Sequence, residues 1–186
     1  MTKLTRTSAP WLYPLPPVLV SCEHNGRANI ITLAWAGVAC SDPAIISVGI
    51  RPQRYSYDII KQSGEFVVNI PKASQVELVD FCGNVSGREV DKFARCGFTA
   101  QPGQFVKAPL IAECPVNLEC KVVQVLALGS HELFLGEILS VHYDGQYAAN
   151  QRFDLSQADA LVYGLNGYYR LGEALGRHGQ WIREER

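Results

Sequence analysis

Along this chain the apolar positions first alternate in the short period of strands and only later open into helical spacing. Val18–Glu23 is a β-rich run after Pro16 and Pro17, and Ala28–Trp35 is another. Between them, His24-Asn25-Gly26-Arg27 carries Asn-Gly, the pair favoured where both central turn residues need positive φ. A hairpin is predicted there. Ser41-Asp42-Pro43 reads as a turn. Ala44–Ile50 is a nearly continuous apolar strand, which predicts burial on both faces. A helix is predicted from Ser56 to Gln62, closed by Gly64, and then a strand over Glu65–Ile70, stopped by Pro71. Two boxes follow. Ser74-x-x-Glu77 predicts a helix ending near Cys82-Gly83, and Ser86-x-x-Glu89 predicts one ending near Cys96-Gly97. In each, the Ser hydroxyl and the Glu three residues on can satisfy the free amides of a first turn.

Residues 98–109 hold Pro102, Gly103 and Pro109 and read as a surface loop. Two long runs then dominate, Val116–Leu128 and His131–Tyr143, separated by the two-residue turn Gly129-Ser130. Each is about twice the usual strand length, so both must bend or coil. Long, curved antiparallel strands are what a small barrel needs to close. Gln151–Gln157 reads as a polar linker. The tail, with Tyr163, Tyr168, Tyr169 and Trp181 among glycines, shows no assignable pattern. The predicted fold class is mostly β: an antiparallel barrel with a few peripheral helices, in one domain over 1–186. The strand–helix alternation of a doubly wound sheet is absent.

Composition narrows the function classes. Apolar residues make up 47% and charged residues 19% of the 186, and the net charge is −1, so nothing favours a nucleic-acid partner. The terminal run Arg183-Glu184-Glu185-Arg186 is mixed in sign and reads as solvated. No apolar stretch reaches the ~20 residues that span a bilayer. Prolines 10, 14, 16 and 17 interrupt any leader-peptide core, and a cytoplasmic location is expected. The six cysteines, at 22, 40, 82, 96, 114 and 120, form no Cys-x-x-Cys pair. They read as buried thiols, with a single reactive one left open.

Familiar catalytic signatures are missing. The chain has no Gly-x-Gly-x-x-Gly after a strand, no Walker A loop, no Gly-x-Ser-x-Gly elbow and no His-Glu-x-x-His. The histidines at 24, 131, 142 and 178 are too far apart for a compact metal motif, and no metal is expected. Two stretches carry chemistry instead. Arg51-Pro52-Gln53-Arg54-Tyr55-Ser56 puts two guanidinium groups, a phenol and a hydroxyl at a helix start, a setting that attracts phosphate. A solvated loop with Ser56 as the helix cap fits the same residues. Asn29–Pro43 begins as an alternating strand and then turns small and glycine-containing, with Trp35 offering an aromatic face. Either a flat ligand lies against this backbone, or a barrel strand carries a bulge here.

The order of these segments carries a resemblance. Pro17-Val18-Leu19-Val20 precedes Asn29-Ile-x-Thr-x-Ala-Trp35 with Ser41-Asp42-Pro43, then Arg54-Tyr55-Ser56, then Glu65-Phe-Val-Val-Asn-Ile70. Ser86-Gly-Arg-Glu-Val-Asp-Lys-Phe93 and Gly129-Ser-His-Glu-Leu-Phe-Leu-Gly-Glu-Ile138 complete the series. Together they resemble the flavin reductase-like family of FMN-binding split barrels, in its flavoredoxin and ferric-reductase branch. The resemblance implies a Greek-key barrel in a homodimer and FMN as cofactor. It also implies electron transfer from NAD(P)H to a flavin, ferric iron or a small protein. An FMN-holding electron carrier with no NAD(P)H site of its own is the alternative. By resemblance, Thr32, Leu33, Ala34 and Trp35 line the isoalloxazine, and Cys40 and Ser41 flank the ribityl chain. Arg51, Arg54, Tyr55 and Ser56 hold the phosphate, while Lys92 and Phe93 close over the cofactor. His131 would orient the nicotinamide or carry a proton near the flavin; a rim histidine without such a duty fits its position as well. The reductases that serve two-component monooxygenases usually show a Ser/Thr-rich run where this chain has Trp35, Gly37, Val38 and Cys40. Their phosphate segment is often Ser-x-Thr rather than Arg-Tyr-Ser, so this chain stands apart from that branch.

Overall fold

A computed structural model describes residues 1–149, 152–155 and 157–180. The first hairpin joins β1 (Val18–His24) to β2 (Arg27–Leu33), paired from Val18↔Leu33 to His24↔Arg27. Its turn is Asn25-Gly26 with φ of 54° and 75°, the positive pair that the sequence predicts. β3 (Ala36–Ser41) and β4 (Ala44–Ile50) form the next hairpin around Asp42-Pro43. α1 (Tyr55–Ser63) ends on Gly64 at φ 70° and leads into β5 (Glu65–Ile70). Then come α2 (Val76–Asn84), α3 (Lys92–Cys96), and the short β6 (Ala100–Gln101) and β7 (Leu110–Ile111). The long β8 (Val116–Ala127) and β9 (Glu132–Tyr143) follow. β10 (Ala148–Ala149), β11 (Arg152–Phe153), β12 (Leu161–Gly164) and β13 (Gly167–Arg170) complete the strands.

The main sheet runs β2-β1-β5-β8-β9-β4-β3, antiparallel throughout. Its two edges, β2 and β3, are consecutive in sequence, with Ala34 and Trp35 alone between them. A sheet whose opposite edges are tied by two residues must roll up. β2 and β3 are in effect one bent strand, pairing with β1 before the bend and with β4 after it, and this closes the barrel. β4 lies beside β9, at the far end of the β5-β8-β9 meander, which makes the closure a Greek key. Irregular register at Glu119/Cys120 and Val122/Gln124, and between Val38 and Cys40, supplies the curvature that such long strands need.

Two cores flank the barrel wall. Inside lie Val20, Val48, Ile50, Phe66 and Phe134, and α1 plugs the lumen with Tyr57, Ile59 and Ile60. Space is tight there: a Cβ on Gly136 would stand 2.5 Å from the Phe66 ring. Outside, Leu19 and Ile30 pack against Val79 and Cys82 of α2, Phe93 of α3, and Ile111. This second core presses both helices onto β2.

The structure corrects several expectations. Neither Ser-x-x-Glu box starts its helix. The α2 turn is opened by Gln75, whose side chain accepts from the Lys72 amide at 2.8 Å. α2 runs on through Gly83 to Asn84. α3 is capped by Asp91, which accepts from the Ala94 amide, while Ser86 accepts from the Arg88 amide in a separate turn. Val79 and Phe93 seat the two helices in the outer core; Asp91 caps α3 through its side chain, whereas α2 starts after Gln75 without a side-chain cap bond. Ser56 is likewise not the α1 cap, a position held by Arg54. Residues 98–109 are not wholly loop, since Ala100-Gln101 pairs with Leu110-Ile111. Ala44–Ile50 is buried on one face: Ile46, Val48 and Ile50 point into the core, while Ile45 and Ser47 are half exposed. The tail forms a β12–β13 hairpin whose turn residues Leu165 and Asn166 both have positive φ. Gln151, Ser156, Trp181 and the 183–186 charge run lie outside the described residues. Among the described residues no helix is long and apolar enough to cross a membrane.

Candidate functional site

The bend that closes the barrel also opens a cleft of about 570 Å³. Thr32–Trp35 form one side. Two glycines let neighbouring elements come close to it. A Cβ on Gly49 would sit 3.1 Å from Trp35 Cβ, and one on Gly83 would sit 3.3 Å from Thr32 Cβ. The Thr32 hydroxyl donates to Val79 O, pinning α2 to the bend. Arg51 and Arg54 enter from the β4–α1 link, and His131 from the β8–β9 turn. The far wall is aromatic: Tyr13, Tyr163 and Tyr168, with Tyr163 tilted against Tyr168 at 5.4 Å between ring centres. The Tyr168 hydroxyl donates to Asp80 at 3.1 Å, and burial, reinforced by that carboxylate, pushes the phenol up to about 12.

His131 is held as a neutral ring. Its Nε2 accepts from Arg51 Nε at 3.4 Å, so the proton sits on Nδ1, 2.9 Å from the Ser130 hydroxyl. Burial, and then the guanidinium groups of Arg51 and Arg54, hold its pKa below the usual 6.5. The ring meets Trp35 edge to face, with centres 6.4 Å apart.

A smaller annex of about 110 Å³ continues from the cleft, sharing Ile31, Arg54 and Gly83 with it. Its floor is Lys92, 3% exposed. Lys92 Nζ donates to Ile30 O at 2.8 Å and to Cys82 O at 2.7 Å, which uses two of its three protons. Among the described residues no carboxylate lies in ion-pair contact with it. Burial pushes the ammonium below its ordinary range, and nearby Arg54 adds to that shift. Ser56 is buried at the same place, its hydroxyl accepting from Asn29 Nδ2 at 2.8 Å. Gly87 closes the wall so tightly against Asn29 that a Cβ would stand 2.0 Å from Asn29 Oδ1. No side chain caps the first turn of α1, so its leading amides face this region without a side-chain acceptor. Outside, Arg88 stacks over the Tyr55 ring at 5.1 Å and donates to Gln53 O, tying the 85–88 turn to the start of α1.

The residues singled out in the sequence mostly converge. Thr32, Leu33, Ala34, Trp35, Arg51, Arg54 and His131 line the cleft. Arg54, Tyr55, Ser56 and Lys92 line the annex. Cys40 and Ser41 line neither cavity. β3 runs away from the bend, and Ser41 lies six residues beyond Trp35, ~20 Å along an extended strand. Phe93 does not close over the cavity either: it is packed into the outer core, holding α3 in place. Sequence reasoning missed Asn29, Gly83, Gly87 and the tyrosine wall. Asn29 left a signal, a buried polar residue in an otherwise apolar run. The wall left none, because Tyr163 reaches the cleft only through the long-range bridge Leu15↔Tyr163.

Comparison with known proteins agrees with this geometry. Residues 11–172 match the family described as "Flavin reductase like domain". A relative from Aeropyrum pernix is 38% identical over 132 residues, covering 70% of this chain and 50% of its own; the chain spans half of that relative's length. The structure of flavoredoxin from Desulfovibrio vulgaris (Miyazaki F) superposes with a TM-score of 0.92 at 32% identity, covering 98% of this chain and all of that one. Flavoredoxin from Methanosarcina acetivorans gives 0.91 at 31%, with 97% of each chain covered. A rolled Greek-key sheet, a cleft at its bend and a family match over most of the length lead to one conclusion: the chain belongs to the flavin reductase-like family of split barrels.

Proposed function

We propose that the cleft and annex bind FMN and that the protein is an oxidoreductase passing electrons from NAD(P)H to an acceptor such as a flavin, ferric iron or a small protein. The observation that carries the cofactor is Lys92. A buried cation without a carboxylate partner is costly unless an anion completes the site. Here Arg54, the Ser56 hydroxyl and the uncapped α1 amides converge on the same small space. A phosphate monoester fits that donor set, and the adjoining cleft is wide enough for a flat ring system beside Trp35. Lys92, Arg54, Tyr55 and Ser56 would hold the phosphate, with Arg51 at the mouth. Thr32, Leu33, Ala34 and Trp35 would line the ring. When bound, FMN supplies reversible one- and two-electron transfer, which none of these side chains offers. His131, kept neutral by burial and two guanidinium groups, can accept a proton at Nε2 once Arg51 releases it. It can also orient a nicotinamide amide.

The flavoredoxin likeness favours a second reading, an FMN-holding electron carrier without an NAD(P)H site. One anaerobic titration separates the two. Bleaching of the yellow absorbance by stoichiometric NADH or NADPH is expected; bleaching by dithionite alone assigns the carrier role. Colourless protein that takes up no added FMN refutes both. A homodimer and a cytoplasmic location belong to the same proposal. The dimer has support in Val123, Leu126, Leu139 and Val141, which stand exposed on the adjacent strands β8 and β9, and in Val38, exposed on β3 beyond β4.

A further inference from the structure

Two thiols face each other at the edge of the annex. Cys82 Sγ and Cys96 Sγ are 3.8 Å apart, about 1.8 Å beyond the length of a disulfide bond. Cys82 is buried on the last turn of α2 and lines the annex; Cys96 ends α3 and is half-buried. Cys22, Cys40 and Cys120 instead each donate to a backbone carbonyl. The segment between the pair, 83–95, carries Gly83, Val85, Ser86, Gly87 and Lys92, all of which line the annex. The pair is also linked to the site's cation, since Lys92 Nζ donates to the Cys82 carbonyl.

We propose that Cys82 and Cys96 are a redox-active pair, oxidised by a hydroperoxide to a disulfide that fastens the 83–95 wall over the annex. Cys96 reacts first, because its sulfur is the more exposed. Its thiolate attacks one peroxide oxygen, the O–O bond breaks and hydroxide leaves, giving a sulfenic acid. The Cys82 sulfur then attacks the Cys96 sulfur, the S–O bond breaks, and the S–S bond forms. The two thiol protons end on the two departing hydroxides. Two thiols and one hydrogen peroxide thus give one disulfide and two waters, and a small dithiol reverses the change. Burial, and then the neighbouring Cys96, push the Cys82 thiol up to about 12, and the Lys92 ammonium offsets part of that rise, which makes Cys82 the resolving rather than the attacking thiol.

The consequence for cofactor exchange rests on the FMN reading above; the disulfide itself does not. Peptide mapping under non-reducing conditions, after treatment of the full-length protein with hydrogen peroxide, is expected to yield a Cys82–Cys96 cross-linked peptide. A different pairing, or Cys96 driven to sulfinic acid, overturns the proposal. Tryptic cleavage after the exposed Arg88 reads the fastening without any cofactor, and should be about threefold or more slower in the oxidised protein. Equal cleavage rates in the presence of the mapped disulfide overturn the fastening. With FMN bound, flavin release measured by fluorescence should slow on oxidation. Cys96→Ser and Cys96→Ala should both abolish the difference in either assay. If FMN does not bind, the cofactor reading fails while mapping and proteolysis still decide the thiol pair.

Discussion

At the scale of single residues, the site joins one buried charge, Lys92, to the exposed guanidinium groups of Arg51 and Arg54. Lys92 gives two protons to carbonyls and keeps one for the annex. Arg54 joins it at the helix start, whereas His131 lies in the cleft beside Arg51 and does not line the annex. Their substitutions should therefore separate. Arg54→Ala removes a charged donor to the phosphate and should weaken FMN binding about 10- to 100-fold, the equivalent of one charge-assisted hydrogen bond. His131→Ala should change affinity by less than about threefold, since it removes no phosphate contact. Fluorescence titration of both variants decides the matter, and equal affinities would refute the phosphate assignment. Arg51, Arg54, Tyr55 and Ser56 could be read in the sequence because they are neighbours along the chain. Lys92 came from resemblance alone, since a lysine on a charged helix says nothing about the carbonyls it will meet.

At the scale of elements, β8 does more than pair with its neighbours. Glu119 is fully buried on it and gathers the segment 104–106: its carboxylate accepts from the Gln104, Phe105 and Val106 amides and meets His142 Nε2 at 2.6 Å. Burial alone would raise its pKa, but the amides and the ring together hold it below the ordinary 4.5. The sign of the pH effect follows. The unfolded chain takes up this proton first as pH falls below about 4.5, so stability present at neutral pH is lost through the acid range. Glu119→Gln should cost about 1–3 kcal/mol at neutral pH, because an amide NH₂ would face backbone donors. It should also flatten the acid limb of stability against pH. Urea unfolding from neutral to acid pH tests both, and a variant with the parent's slope contradicts this role. The loop prediction for 98–109 followed its prolines and glycines; the carboxylate that anchors it lies on a distant strand.

For the whole molecule, closure and assembly are the same problem of unpartnered surface. The bend at Ala34-Trp35 ties the two edge strands of the sheet together in one chain segment, and α1 fills the lumen. The apolar side chains left outside, such as Val38 at 80% exposure and Val141 at 54%, have no covering element among the described residues. The proposed second copy would cover them. Light scattering should give twice the chain mass for the parent protein and one chain mass for the double variant Val38→Asp, Val141→Asp. A monomeric parent refutes the dimer.

Much of this architecture is written in short stretches of chain. Asn25-Gly26 sets a hairpin because two adjacent residues must take positive φ. The lengths of β8 and β9 demand curvature, and residues 51–56 bring two guanidinium groups, a phenol and a hydroxyl together from adjacent positions. Such features depend on steric and hydrogen-bonding preferences spanning only a few residues, so the sequence by itself determined them. The helix starts escaped it, because Gln75 and Asp91 hold the N-cap positions in place of the two serines, α2 without any side-chain cap bond. The annex escaped it as well. Ile30, Arg54 and Lys92 meet only because the strand order is not the chain order and a second core presses α2 and α3 onto β2. That adjacency is a property of cooperative packing across the whole barrel, and the tertiary structure alone decided it.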